Sequence, residues 1–145
     1  GGGIRLKSRG RLRAVSPVRT SPYPGFPTDV QALMMAALLR SRGDTVFVEN
    51  LFSNRYRHVE QMKKLGAQIQ VREAAAIVSG VKTLRGAAVQ ATDLRGGAAL
   101  VAAGLQAEGV TRVEEIHHIE RGYADIVADL AGLGACIRKE DFYES

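Results

Sequence analysis

Apolar positions along this chain alternate between helical and strand spacing, and they do so twice in the same order. Val30, Leu33, Met34, Ala37 and Leu38 recur at helical intervals, which predicts a helix opening at Thr28 with these side chains inward. Gln31, three residues after Thr28, completes the pattern of a capping box. Gly43 stands just past the end, where left-handed backbone stops a helix. Thr45 to Val48 is β-branched and aromatic and reads as a strand. Tyr56 to Leu65 predicts a second helix, with Val59, Met62 and Leu65 inward and Gly66 ending it. Ala67 to Val71 alternates cleanly, and Ala76 to Val78 reads as its partner across a turn. Upstream, Leu12 to Val15 alternates with arginine as an edge strand would.

From Thr92 the order recurs. Thr92 is the expected cap of a helix from Asp93 to Ala107, followed by Gly109. Thr111 to Ile116 predicts a strand, Gly122 to Leu130 a helix with Ile126, Val127 and Leu130 inward, and Ala135 to Arg138 a last strand. Short landmarks mark the duplication. Thr28-Asp29 is echoed by Thr92-Asp93, Asn54-Arg55-Tyr56 by Glu120-Arg121-Gly122-Tyr123, and Lys64-Leu65-Gly66-Ala67 by Gly132-Leu133-Gly134-Ala135. The expectation is an α/β chain of two βαβαββ-type repeats. Residues 1–10 form a leader, flexible or artificially added; 11–91 and 92–141 form the first and second units of one incomplete domain; 142–145 are a tail. The helix after Asp93 is crowded with small residues, Gly96-Gly97-Ala98-Ala99 and Ala102-Ala103-Gly104. Glycine costs a helix up to about 1 kcal/mol against alanine, so such a sequence suits a helix surrounded by closely packed neighbours.

Composition narrows the classes. Aromatics make up only 6% of 145 residues, so the core must come from aliphatic side chains. No apolar run approaches the roughly 18–20 residues of a membrane span, and no secretory signal is visible at the start. The one cysteine, Cys136, excludes an intrachain disulfide and fits a reducing cytoplasm. The net charge of +5 belongs to the leader: residues 1–20 hold six basic side chains and no acid. A solvated edge or arm accounts for that charge, and with no recognition motif beside it nucleic acid is not an expected partner. His58, His117 and His118 lack the spacing of metal ligands, so no metal or cofactor is expected.

Three arginines sit where helix dipoles disfavour them. Arg95 falls in the first turn after Asp93, while Arg55 and Arg121 occupy equivalent strand-to-helix joints. Surface ion pairs are one explanation; guanidinium forks for a phosphate or carboxylate are the other. Asp29 and Asp93 each open a helix, where a carboxylate is favoured by about 0.3–1 kcal/mol. Pro22, Pro24 and Pro27 stiffen the approach to Asp29 and deliver it to a fixed place.

Four runs carry a resemblance: Ser21-Pro22-Tyr23-Pro24-Gly25-Phe26-Pro27-Thr28-Asp29, Glu49-Asn50-Leu51-Phe52-Ser53-Asn54-Arg55-Tyr56, Ala91-Thr92-Asp93-Leu94-Arg95 and His118-Ile119-Glu120-Arg121-Gly122-Tyr123. In this order they resemble motifs of the UDP-N-acetylglucosamine 1-carboxyvinyltransferases, over residues 11 to 139. The proline-rich run looks more like the amino-sugar branch than the shikimate branch. The resemblance implies an inside-out α/β barrel, helices inside and sheets outside, and a C-terminal fragment of a transferase. It implies transfer of the enolpyruvyl group of phosphoenolpyruvate to the 3-hydroxyl of UDP-N-acetylglucosamine, the first committed step of peptidoglycan synthesis. It makes Asp29 the general base and places Leu51, Arg55, Asp93, Arg95 and Arg121 at the substrates. The family's N-terminal Lys-Asn pair and its mobile Cys- or Asp-bearing loop are absent here. The chain by itself is therefore expected to be inactive, to need the missing N-terminal half as partner, and to self-associate through exposed apolar surface. The rival readings are a non-catalytic module of the same fold that binds a sugar nucleotide or another polyanion, and a fragment of a shikimate-branch enolpyruvyl transferase.

Overall fold

The computed structural model describes residues 1–15 and 17–141; the expected tail at 142–145 lies outside the described residues. Residues 18–79 build a four-stranded sheet. Its elements are β1 (Val18–Arg19), α1 (Thr28–Leu38), β2 (Asp44–Val48), α2 (Val59–Lys64), β3 (Gln68–Arg72) and β4 (Ala75–Ser79). The strand order is β1-β2-β4-β3, with β1 parallel to β2 and the other pairs antiparallel. β5 (Leu84–Arg85), β6 (Ala88–Gln90), α3 (Leu94–Gly104), β7 (Ala107–Glu108), β8 (Arg112–Glu114), α4 (His117–Glu120) and α5 (Ile126–Gly132) follow. β5 pairs parallel with β7 and β6 parallel with β8.

The core forms where α1 packs on α3. Met35, Ala36, Leu39, Ala99, Leu100 and Ala103 are all fully buried in one cluster with Phe47, Val78 and Val89 from the strands. As expected for a helix with neighbours all round, α3 buries Gly96 to Val101 without a break, and Ala103 after it. Its small residues let those neighbours approach. A Cβ added at Gly97 would come 2.7 Å from Ile119 Cγ1 and 3.0 Å from Ala91 Cβ. The chain is mixed α/β with its two longest helices packed together, in keeping with the inside-out architecture.

Several local expectations are corrected. Leu12 to Val15 is not a strand; Arg13 and Arg42 form a single bridge, and the Arg11 side chain ties the segment down by donating to the carbonyls of Arg40 and Ser41. Thr28 does not cap α1. Pro27 occupies the cap with no side-chain bond, and the Thr28 hydroxyl donates to Glu49 instead. The inward face of α1 is rotated from the one expected. Gln31, Ala32, Met35, Ala36 and Leu38 are buried, whereas Val30 is 38% exposed. Alanines facing a close helix neighbour carry that face, and a search for large apolar residues passes over them. The helix stops at Leu38, well before Gly43, which takes a left-handed φ of +99° just ahead of β2.

α2 begins at Val59 rather than Tyr56, but Val59, Met62 and Leu65 are buried and Gly66 turns the chain at φ +92° as expected. α3 is capped by Asp93, not Thr92: the Asp93 carboxylate accepts from the Gly96 amide at 2.7 Å. The helix expected over Gly122 to Leu130 begins only at Ile126, as α5 capped by Asp125, and a separate short helix, α4, precedes it at His117–Glu120. Ala135 to Arg138 forms no strand, because the segment has no ladder partner among the described residues.

Candidate functional site

Two loops and one helix start converge. After β1, the proline-rich loop folds back on itself: the Ser21 amide donates to Phe26 at 3.0 Å and the Gly25 amide to Pro22 at 2.8 Å. Any side chain at Gly25 would collide with Ser21. This closed loop sets down the first turn of α1 and with it Asp29. After β2, the segment from Glu49 to His58 runs beside it, with Asn54 in left-handed backbone at φ 60°. The start of α3 supplies Asp93 and Arg95.

The side chains meet across this junction. Arg95 Nε donates to Asp29 Oδ1 at 2.5 Å, and Arg55 Nη1 lies 4.0 Å from the same oxygen. The Arg55 guanidinium lies over the Phe52 ring, 4.4 Å from its centre. Thr28, Arg55, Arg57, His58, Asp93 and Arg95 line the cleft so formed. The Asp93 carboxylate is engaged in capping α3. Three guanidiniums against two carboxylates leave the cleft net positive, which suits an anion bearing phosphate or carboxylate groups. Arg95 at a helix start thus has a partner, Asp29 on α1, across the cleft.

His58 is almost completely buried beside this cleft. Loss of solvation pushes its pKa down to about 4, against an opposing pull from the Asp93 charge. It is a neutral ring near pH 7. An adjoining concavity holds Leu51, Phe52, Asn54, Arg55, Tyr56 and Glu73, so Leu51 and Arg55 share a second wall. Arg121 stands apart: it is the exposed C-cap residue of α4 and is not among the residues lining the cleft. Asp29, Arg55, Asp93 and Arg95 are thus brought together, Leu51 is adjacent, and Arg121 is not drawn in.

Sequence reasoning missed Glu49. It is 5% exposed and accepts hydrogen bonds from the hydroxyls of Thr20 and Thr28, both at 2.6 Å, and from the Leu51 amide at 3.1 Å. Burial raises its pKa, but these donors and the Phe52 amide outweigh that and hold it below the ordinary 4.5. The available signal was an acid directly after the buried strand Thr45 to Val48. Among the described residues no group of three His, Cys, Asp or Glu could hold a metal ion, and no helix is long and apolar enough to cross a membrane.

Known proteins resemble this chain in sequence and in fold. The family model described as EPSP synthase (3-phosphoshikimate 1-carboxyvinyltransferase) matches residues 4–130. The UDP-N-acetylglucosamine 1-carboxyvinyltransferase of Anaeromyxobacter sp. (strain Fw109-5) is 51% identical over 139 residues, 96% of this chain and 33% of the relative. The protein of that name from Desulfofundulus thermocisternus is 47% identical over 141 residues, 97% of this chain and 58% of the relative. The chain thus spans about a third to three fifths of the length of these curated relatives. Among solved structures, the enolpyruvyl transferase NikO from Streptomyces tendae superposes with a TM-score of 0.81 at 29% identity, covering 90% of this chain and 30% of that one. An EPSP synthase from Acinetobacter baumannii, at 22% identity and a TM-score of 0.57, shares the fold.

Proposed function

The chain belongs to the EPSP synthase family of carboxyvinyl (enolpyruvyl) transferases, and on that premise we propose that it is part of an enzyme moving the enolpyruvyl group of phosphoenolpyruvate to the 3-hydroxyl of UDP-N-acetylglucosamine. The observation that supports this reading best is the meeting of Asp29 from one unit with Arg95 from the other across a single cleft. The hydroxyl must lose a proton as its oxygen bonds to the enolpyruvyl carbon, and Asp29 accepts it. Phosphate leaves as the C–O bond to the enolpyruvyl carbon breaks. Arg55 and Arg95 offset the negative charge of phosphoenolpyruvate, and Asp93 fixes the start of the helix that carries Arg95. Leu51 lines the sugar-nucleotide side. Arg121 joins the set on the resemblance alone and would have to swing toward the cleft or meet substrate at its rim.

Relatives at 47–51% identity carry the amino-sugar name, whereas the EPSP synthase structures lie at 22–23%, which favours UDP-N-acetylglucosamine over a shikimate acceptor. The reaction belongs to peptidoglycan synthesis in the cytoplasm, and the two repeat units act together with the remainder of the enzyme. The test is phosphate release from the two substrates. This chain alone should turn over negligibly, and supplying the remaining part of a relative's enzyme in trans should restore release that Asp29→Asn abolishes. Full turnover by the isolated chain, or no recovery in trans, would overturn the reading.

A further inference from the structure

Glu49 is buried at the end of β2, yet its partners are all neutral donors. Oε2 accepts from Thr20 Oγ1 and from the Leu51 amide; Oε1 accepts from Thr28 Oγ1 at 2.6 Å and from Gln31 Nε2 at 3.4 Å. Thr20 Oγ1 in turn accepts from the Asn50 amide at 2.9 Å. Removing a carboxylate from water costs several kcal/mol unless such bonds replace hydration. A neutral amide could bridge the same segments at lower cost, so the charge needs a reason. An ionised carboxylate only accepts. It therefore forces every donor around it to point inward and fixes their orientation together.

Two of those donors control the site. Thr28 directly precedes Asp29, and its hydroxyl is turned away from capping α1 to reach Glu49. The Leu51 amide is drawn inward by the same group, which sets the course of the loop toward Arg55. We propose that Glu49 is a positioning residue: one buried carboxylate registers the backbone that presents Asp29 against the loop that presents Leu51. This rests on the functional reading above for its purpose, but the coupling itself is a property of the free chain. Substrate-facing groups on two separate segments are thus held at a fixed separation before anything binds.

Two substitutions test it by amide NMR. Thr28→Val removes one arm and keeps the shape of the side chain. Coupling through Glu49 moves the Leu51 amide resonance as well as that of Asp29, while Val78 in β4 and Ala99 in α3 stay in place. Glu49→Gln moves both amides, since one face of the Gln amide cannot accept from the Leu51 N–H. With UDP-N-acetylglucosamine as the probe, each variant should bind at least tenfold more weakly. A Leu51 resonance unmoved by Thr28→Val in a folded chain overturns the proposal. So does unchanged affinity in both variants. If the wild-type chain does not respond to the sugar nucleotide, the functional reading fails, and the free-chain shifts still decide the coupling. Should Glu49→Gln fail to fold, the Leu51 shift in Thr28→Val decides the coupling by itself.

Discussion

Arg95 reaches across 66 residues of sequence to place its Nε against Oδ1 of Asp29, joining the first turns of α1 and α3. Both side chains remain partly exposed, 37% and 64%. An ion pair of that exposure contributes at most about 1 kcal/mol to stability. Arg95→Ala should therefore leave the unfolding midpoint nearly unchanged. Affinity for phosphoenolpyruvate should fall tenfold or more, read by calorimetric titration. Loss of stability without loss of affinity would make the pair structural.

Gly97 tests the close packing of α3. Alanine gains up to about 1 kcal/mol of helix propensity over glycine. Its methyl, however, would press on Ile119 and Ala91 at 2.7 and 3.0 Å, and overpacking costs typically about 1–3 kcal/mol. Both neighbours are themselves buried, so they have little room to move. Gly97→Ala should lower the stability read from urea unfolding by a net of about 1–2 kcal/mol. A stabilised variant would show that α3 has space around it.

His58 gives the chain an acid weakness. Its folded pKa of about 4 lies below the ordinary 6.5, so between those values the unfolded chain binds a proton that the folded chain refuses. Stability should fall as pH drops from about 6.5 toward 4, by up to roughly 3 kcal/mol. Glu49 acts with the same sign at lower pH, beginning near 4.5, where protonation costs its hydrogen bonds. His58→Gln should remove the upper part of this dependence in urea titrations at pH 4 to 7 and keep the lower part. An unchanged slope between pH 5 and 6.5 would assign the loss to other groups.

Long periodic segments were readable in the residues and the site's joints were not. Val59, Met62 and Leu65 fixed α2 because large apolar side chains at helical spacing have few alternatives. The glycines and alanines of α3 announced a crowded helix because nothing else explains their cost. The inward face of α1 was misjudged because Ala32 and Ala36 look neutral until a close helix neighbour is known. Both threonine caps failed for one reason: a better partner was near. Asp93 supplied a stronger acceptor for the α3 start, and Glu49 captured the Thr28 hydroxyl from 21 residues away. Such long-range hydrogen bonds leave no periodic trace. The convergence of Asp29 with Arg55 and Arg95 was implied by the motif resemblance; the same resemblance put Arg121 with them, and it lies outside the lining of the cleft, at the end of the short helix α4.

The central claim is that the guanidiniums of Arg55 and Arg95 accept one anion beside Asp29. The most direct measurement follows the Nε–H resonances of Arg55 and Arg95 while phosphoenolpyruvate is added to the chain. Both should move along one saturable curve with a common Kd, and Asp29→Asn should shift that curve without abolishing it. Silence at Arg55 and Arg95, with non-saturating shifts confined to the basic residues before Thr20, would contradict the account.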